Sequence, residues 1–236
     1  MPEETLAAYA NAVAVGADVI EMDVHTTSDG VPVCIHDATI DGTTDGTGDV
    51  HSFTFEELQA FDAGYNFKSG EGYPERGKGH TIPSLEDVLT ANSDQWILIE
   101  IKQSDPPMVD EVIAVLDATG MAGRVAISSF SGVPMLELRE KRPDILSGFS
   151  MVEMTEFLFM DEEEWAAYEP PAKVLQPPHG SVDAQMVKTA EHFGVVLQPW
   201  TVNNPETMND LFELGVQGVM TDDPVVLEEV ITKLGE

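Results

Sequence analysis

One cysteine stands in 236 residues, Cys34, so no internal disulfide can form. Basic residues are almost as scarce. Eleven Lys plus Arg face 43 Asp plus Glu, a formal charge of −32. That argues against nucleic acid as a partner, because binding it requires cations that neutralise phosphates. An anionic membrane surface is disfavoured for the same reason. No apolar run approaches the roughly 18 residues of a spanning helix, so stable membrane insertion is not expected. The opening MPEETLAAYANAV carries no basic stretch ahead of an apolar block, which leads us to expect a cytoplasmic protein. Fixed-period repeats and low-complexity tracts are absent, and no pattern specifies an oligomeric state.

What is present is a globular composition, 42% hydrophobic, in a chain long enough for one large core, so residues 1–236 are expected to form a single domain. Short apolar runs alternate with helical patterns. The runs are DVIEMDV (18–24), VPVCIHD (31–37), WILIEIK (96–102), RVAISSF (124–130), ILSGF (145–149), AKVLQP (172–177), VVLQPW (195–200) and VQGVMTD (216–222). Helical spacing is found in PEETLAAYANAVAVG ahead of them, and in VDEVIAVLDATG, VPMLELREKRP, DAQMVKTAEHFG and PETMNDLFELG between them. Such alternation predicts an α/β fold with a parallel sheet, and the number of repeats favours a (β/α)8 barrel. Two stretches break the rhythm. Residues 41–80 are rich in Gly, Asp and Thr and read as an excursion on the barrel rim, about 42–82, with a short helix at FTFEELQAF. Residues 151–170 carry an acidic run that reads as a solvated helix.

The stretch VIEMDVHTTSDGVPVCIHD (19–37) places acids inside a core-like strand. Too few residues separate Val24 from Val33 for a crossover helix, and Asp29-Gly30 is a two-residue hairpin signal. With that turn Ser28 faces Val31, and His36 falls opposite Asp23. Period-2 alternation adds Glu21 and His25 to the same face. WILIEIK repeats the device, with Glu100 and Lys102 two apart at the end of a buried strand. Charges at the carboxyl ends of barrel strands mark the active face, and buried charges need partners. Glu21, Asp23 and Glu100 would repel one another without a hard divalent cation. All-oxygen ligation suits Mg²⁺ or Ca²⁺, with Mn²⁺ admissible, over Zn²⁺. Lys102 then reads as a phosphate contact and His36 as a general acid or base.

At these residues the sequence resembles the glycerophosphodiester phosphodiesterase family, a (β/α)8 barrel of the phospholipase C-like phosphodiesterase superfamily. The resemblance runs over the whole chain. It is carried in order by the N-terminal PEETLAAYANAVAVGADVIEMDVHTTSDGVPVCIHDATIDGTTDGTG, then IPSLEDVL, IEIK, SSF, PWTVN and GVMTDDP. It implies that Glu21, Asp23 and Glu100 bind the metal, that His36 is catalytic, that Lys102 contacts the substrate phosphate, and that Trp200 lines the pocket. Glu3 and Thr5 match a Pro-Glu-Asn-Thr motif in which Glu4 replaces the asparagine; Glu3 and His25 are assigned supporting positions beside the site. His51, His80, His179 and His192 read as structural or exposed. The family's first strand, ending in His-Arg-Gly, precedes that motif, so the chain is expected to lack this strand with its histidine and arginine.

The resemblance implies metal-dependent hydrolysis of a small-molecule glycerophosphodiester to sn-glycerol 3-phosphate and an alcohol. Two alternatives stay open on the sequence: a lysophospholipase D-like activity on lysophospholipids, and a catalytically silent metal-binding barrel. The even spread of acidity along the chain suits a protein adapted to high salt. Screening of self-repulsion should then stabilise the fold: the melting temperature is expected to rise with KCl from about 0.1 to 1 M, as the Debye length falls from about 10 to 3 Å. A flat dependence in a thermal melt would count against salt adaptation.

Overall fold

The first helix, α1 (Leu6–Val15), begins where the Thr5 side chain accepts the Ala8 amide proton. It ends at Gly16, whose φ of 109° is left-handed and favours a residue without Cβ. β1 (Val19–Thr26) then turns back, antiparallel, into β2 (Pro32–Cys34). A long excursion follows, containing the single helical turn α2 (Phe55–Leu58) with a Thr54/Glu57 capping box. α3 (Leu85–Ala91) returns the chain to the body of the protein. From there strand and helix alternate: β3 (Trp96–Ile101), α4 (Val109–Thr119), β4 (Val125–Ser128), α5 (Gly132–Lys141), β5 (Leu146–Ser147), α6 (Met151–Leu158), β6 (Val174–Leu175), α7 (Ala184–Phe193), β7 (Val196–Leu197), α8 (Pro205–Leu214) and α9 (Pro224–Leu234). This computed structural model describes residues 1–235.

β1, β3, β4 and β5 pair in parallel in that order. A bridge from Gly148 to Val174 carries the wall on to β6, which pairs parallel with β7. Beyond β7, Met220 N donates to Pro199 O (2.9 Å) and Val202 N donates to Met220 O (2.8 Å). The run 216–222 thus lies against the wall through two backbone bonds and forms no regular strand. The architecture is the expected α/β barrel of the (β/α)8 class, a curved parallel sheet with helices outside. None of those helices is long and apolar enough to cross a membrane, among the described residues.

Two cores fill the space between wall and helices. Met22, Val24, Ile99, Ile101 and Ile127 on the outer faces of β1, β3 and β4 meet Leu89, Val112, Leu116 and Leu138 from α3, α4 and α5. Phe149, Phe157, Ala190, Leu197, Met208, Leu211 and Val230 form the second core, under α6 to α9. Each Val, Leu, Ile, Phe or Met among them, fully buried, contributes about 1.5–3 kcal/mol. The rim excursion has a small core of its own from Val33, Ile35, Ile40, Val50, Leu58 and Ile82.

The structure corrects two local expectations. The acidic run is no helix: α6 stops at Leu158, and Asp161–Glu164 lie exposed in turns. The β1–β2 hairpin is one residue out of the anticipated register, pairing Val24 with Cys34 and His25 with Val33. Ile35, not His36, therefore stands opposite Asp23, with Ile35 N donating to Asp23 O (3.0 Å). The cause is Thr27. Its amide donates to Val31 O (3.1 Å), and its hydroxyl donates to Asp29 Oδ1 (2.6 Å) and accepts from Val31 N (2.9 Å). The loop is thereby Ser28-Asp29-Gly30, with Gly30 at a left-handed φ of 79°, a three-residue turn in place of a two-residue one. Thr27 is fully buried. Thr27→Val should cost about 1–3 kcal/mol in urea unfolding without a change in m value, by stranding the Val31 amide; a loss under about 0.3 kcal/mol would remove Thr27 as the register lock.

Candidate active site

β1 and β3 run side by side with Asp23 aligned to Glu100. Alternation sends Met22 and Val24 outward into the core, so Glu21, Asp23 and His25 face the barrel interior. The same parity on β3 turns Ile99 and Ile101 outward and Glu100 inward, with Lys102 next in line. Lys102 N donates to Val24 O (3.2 Å), which extends the β1–β3 alignment to the lysine. Its ammonium stands 3.3 Å from Asp23 Oδ1 and 3.3 Å from Glu100 Oε1. Burial opposes the charge on Lys102, but the two carboxylates outweigh it and hold the ammonium above its ordinary pKa.

The second feature is a carboxylate cluster that includes a residue outside the anticipated set. Glu4, Glu21 and Asp23 each offer an oxygen, and these lie within 4.8 Å of one another. β2 covers only the Val24–Thr26 end of its edge of β1, and Asp23 N donates instead to Glu4 Oε2 (3.3 Å). The Tyr9 hydroxyl donates to the same oxygen. Burial, reinforced by the charge of Asp23, pushes the Glu4 carboxyl up to about 8. Burial raises Glu21 well above the ordinary range too, with Asp23, Glu4 and Glu100 adding to it. Glu100 is raised by burial and then by Asp23, with Lys102 opposing.

Asp23 Oδ1 is buried and accepts no hydrogen bond, its charged neighbour being the Lys102 ammonium at 3.3 Å. An orphaned buried carboxylate oxygen among other carboxylates, all donors being oxygen, fits a hard divalent cation. Glu21 and Asp23 are brought together as anticipated. Glu100 sits across Lys102 from them, and Glu4 takes the near position.

His36 is exposed just beyond β2, with Nδ1 2.9 Å from Asp37 Oδ1. His25 is buried, and Nε2 lies 3.3 Å from the His36 carbonyl oxygen. Burial lowers its pKa, so at neutral pH it is an uncharged prop for the backbone of His36. Glu3 is exposed at the mouth, near His36, Asp37 and Asp222. Trp200 donates from Nε1 to Gln176 O (2.8 Å), which fixes its ring edge-on to Phe130 at 5.6 Å. The Lys102 ammonium lies 5.8 Å from the Phe130 ring centre, so the two aromatics form an apolar wall beside the lysine. Phe130 and Glu4 escaped the sequence reading. Phe130 was signalled only by an aromatic ending the run RVAISSF, and Glu4 by a second acid beside Glu3. Of the remaining histidines, His80 pairs with Glu75 in the rim excursion, while His51, His179 and His192 are exposed.

With this geometry in hand, the likeness to known proteins is extensive. The sequence model of the glycerophosphoryl diester phosphodiesterase family matches residues 1–226. A glycerophosphodiester phosphodiesterase of Caldanaerobacter subterraneus subsp. tengcongensis is 34% identical over 244 aligned residues, covering 100% of this chain and 94% of the relative. A crystallised Silicibacter pomeroyi protein assigned to the same enzyme type superposes with a TM-score of 0.85 at 26% identity, covering 100% of this chain and 90% of that one. A phosphodiesterase of Oleispira antarctica, solved in complex with the product sn-glycerol-3-phosphate, has a TM-score of 0.80 at 23% identity, covering 98% and 92%.

The raised carboxyls have a measurable consequence. Glu4 titrates at about 8 in the folded chain against an ordinary 4.5. Between those values the folded form holds a proton that the unfolded form has lost. Its contribution to stability is therefore complete below about 4.5 and is lost as pH rises through about 8. In EDTA the melting temperature should fall across that window, and fall less in Glu4→Gln. Added Ca²⁺ should reverse the fall at the upper end, because cation binding displaces the proton. Identical slopes for the two proteins would remove Glu4 as the titrating group.

Proposed function

The chain belongs to the glycerophosphoryl diester phosphodiesterase family of phosphoric diester hydrolases, and on that premise we propose that it hydrolyses a glycerophosphodiester to sn-glycerol 3-phosphate and an alcohol, residues 1–236 acting as one catalytic domain. The observation that carries this reading is Lys102, paired with Asp23 and Glu100 at the mouth of the barrel, where the buried Asp23 Oδ1 accepts no hydrogen bond. The Oleispira relative, solved with sn-glycerol-3-phosphate, supports the product assignment.

A phosphodiester is a monoanion whose charge grows in the transition state, so its hydrolysis needs positive charge aimed at the non-bridging oxygens. Lys102 supplies one such charge from a position fixed by two carboxylates. Glu21, Asp23 and Glu100 would hold the divalent cation, Mg²⁺ or Ca²⁺. When bound, that ion acts as a Lewis acid toward the phosphoryl group. Water adds across the phosphorus–oxygen bond to the alcohol, which departs with a proton. His36, exposed at the mouth and paired with Asp37, carries a proton to or from the reacting oxygens. His25 holds the backbone of His36.

Phe130 and Trp200 favour a second substrate class. An aromatic wall beside the phosphate contact would also accommodate the acyl chain of a lysophospholipid.

Assays of glycerophosphocholine and lysophosphatidylcholine in parallel, at molar KCl with Ca²⁺ or Mg²⁺, separate the readings. Turnover of the first alone is the expected result; turnover of the second alone would install the lysophospholipase D reading. Turnover of neither would leave a catalytically silent barrel. Glu100→Gln and Lys102→Met should each lower kcat/KM at least about 100-fold while the protein stays folded. An unchanged rate in Glu100→Gln would sink its metal assignment.

A further inference from the structure

We propose that Glu4 is a fourth carboxylate ligand of the cation held by Glu21, Asp23 and Glu100, and that the centre so formed takes Ca²⁺ in preference to Mg²⁺, an inference that rests on the metal-dependent reading above. Glu4, Glu21 and Asp23 offer oxygens within 4.8 Å of one another. Ca²⁺ holds its oxygens at about 2.3–2.6 Å, so donors on one such ion span that separation without rearrangement.

Proximity of acids is not by itself a site. The independent pointer is Asp23 Oδ1, a buried oxygen on a residue 6% exposed whose carboxylate belongs to the cluster, accepting no hydrogen bond. The Lys102 ammonium, 3.3 Å away, pairs with this oxygen but is shared with Glu100, so one cation faces two carboxylates. A buried anionic oxygen without a donor is costly, and a cation between it and its neighbours offsets that cost.

Glu4 is oriented for the part. The Tyr9 hydroxyl and the Asp23 amide both donate to Oε2. Among the described residues no hydrogen bond reaches Oε1, which is left for coordination. The two donors stand on α1 and β1, so the carboxylate is held from two elements without being neutralised. The balance of charge then decides which ion suits. Mg²⁺ keeps several waters and binds through one or two carboxylates in a strict octahedron, whereas Ca²⁺ takes six to eight oxygens flexibly. Four carboxylates facing a single lysine match the second pattern. The bound ion would also tie residues 1–5 to the end of β1, because Glu4 is the only one of the four ligands outside the two strands.

The experiment is calorimetric titration of metal-free wild type and Glu4→Gln with CaCl₂ and with MgCl₂. Eu³⁺ luminescence lifetimes in H₂O and D₂O count the waters on the ion, and Asp18→Asn, an exposed residue ahead of β1, controls for the loss of one negative charge. Glu4→Gln should weaken Ca²⁺ about tenfold or more and add about one water to bound Eu³⁺, with Asp18→Asn unchanged in both. In wild type Mg²⁺ should bind at least about tenfold more weakly than Ca²⁺. An unchanged water count in Glu4→Gln overturns Glu4 as a ligand, and equal affinity for the two ions overturns the preference. Should Glu4→Gln not fold, wild-type crystals soaked in CaCl₂ decide: a Glu4 oxygen within about 2.6 Å of the ion supports the inference, and one beyond about 3.5 Å overturns it. Wild type binding neither ion would bring down the metal-dependent reading itself, an outcome distinct from losing Glu4 alone.

Discussion

Four carboxylates and one lysine are held together at the mouth of this barrel against their own repulsion. Two like charges about 4 Å apart repel by about 4 kcal/mol at the effective dielectric of a protein near its surface, and burial adds a desolvation cost for each. What holds them is the opposite face of the same two strands. Met22 and Val24 on β1 and Ile99 and Ile101 on β3 are buried against α3 and α4, each contributing about 1.5–3 kcal/mol. Because strand residues alternate, a strand cannot place these apolar side chains outward without also turning Glu21, Asp23 and Glu100 inward. The core's stability and the site's strain are two faces of one register.

The molecule relieves part of that strain by protonation. Burial raises Glu21 and pushes Glu4 up to about 8, so at neutral pH the metal-free cluster holds a proton on Glu4. A cation and this proton compete for the same oxygens, which couples ion binding to pH. Lys102 is held above its ordinary pKa by its two carboxylates, so it stays cationic throughout this range.

Around the single Lys102 ammonium lies a strongly anionic protein, −32 overall. A phosphodiester approaching from solution meets a repulsive long-range field that salt screens over about 10 Å at 0.1 M and about 3 Å at 1 M. Most of the other basic side chains are occupied locally. Arg139 binds Glu153 and the Gly148 carbonyl, joining α5 to α6 and the end of β5, while Arg142 bridges Asp117 and Asp144. The first is half-buried and braces the wall. The second is largely on the surface, where such pairs contribute little.

Much of this was legible in one dimension. Alternation of apolar runs with helical spacing determined the α/β barrel, since each period buries one face in only one way. Acids at i and i+2 within apolar strands determined that Glu21, Asp23, Glu100 and Lys102 share a face. The tertiary structure decided what depends on distance between elements. Thr27, by binding both ends of its loop, shifted the hairpin by one residue and put Ile35 where His36 was expected. The pairing of β1 decided that the Asp23 amide is met by Glu4, and the packing of Trp200 on Gln176 O decided that Phe130 shares its wall. Periodicity is a property of each segment alone. A one-residue register and a carboxylate reaching in from the segment ahead of α1 are set by contacts between segments, which no local pattern records.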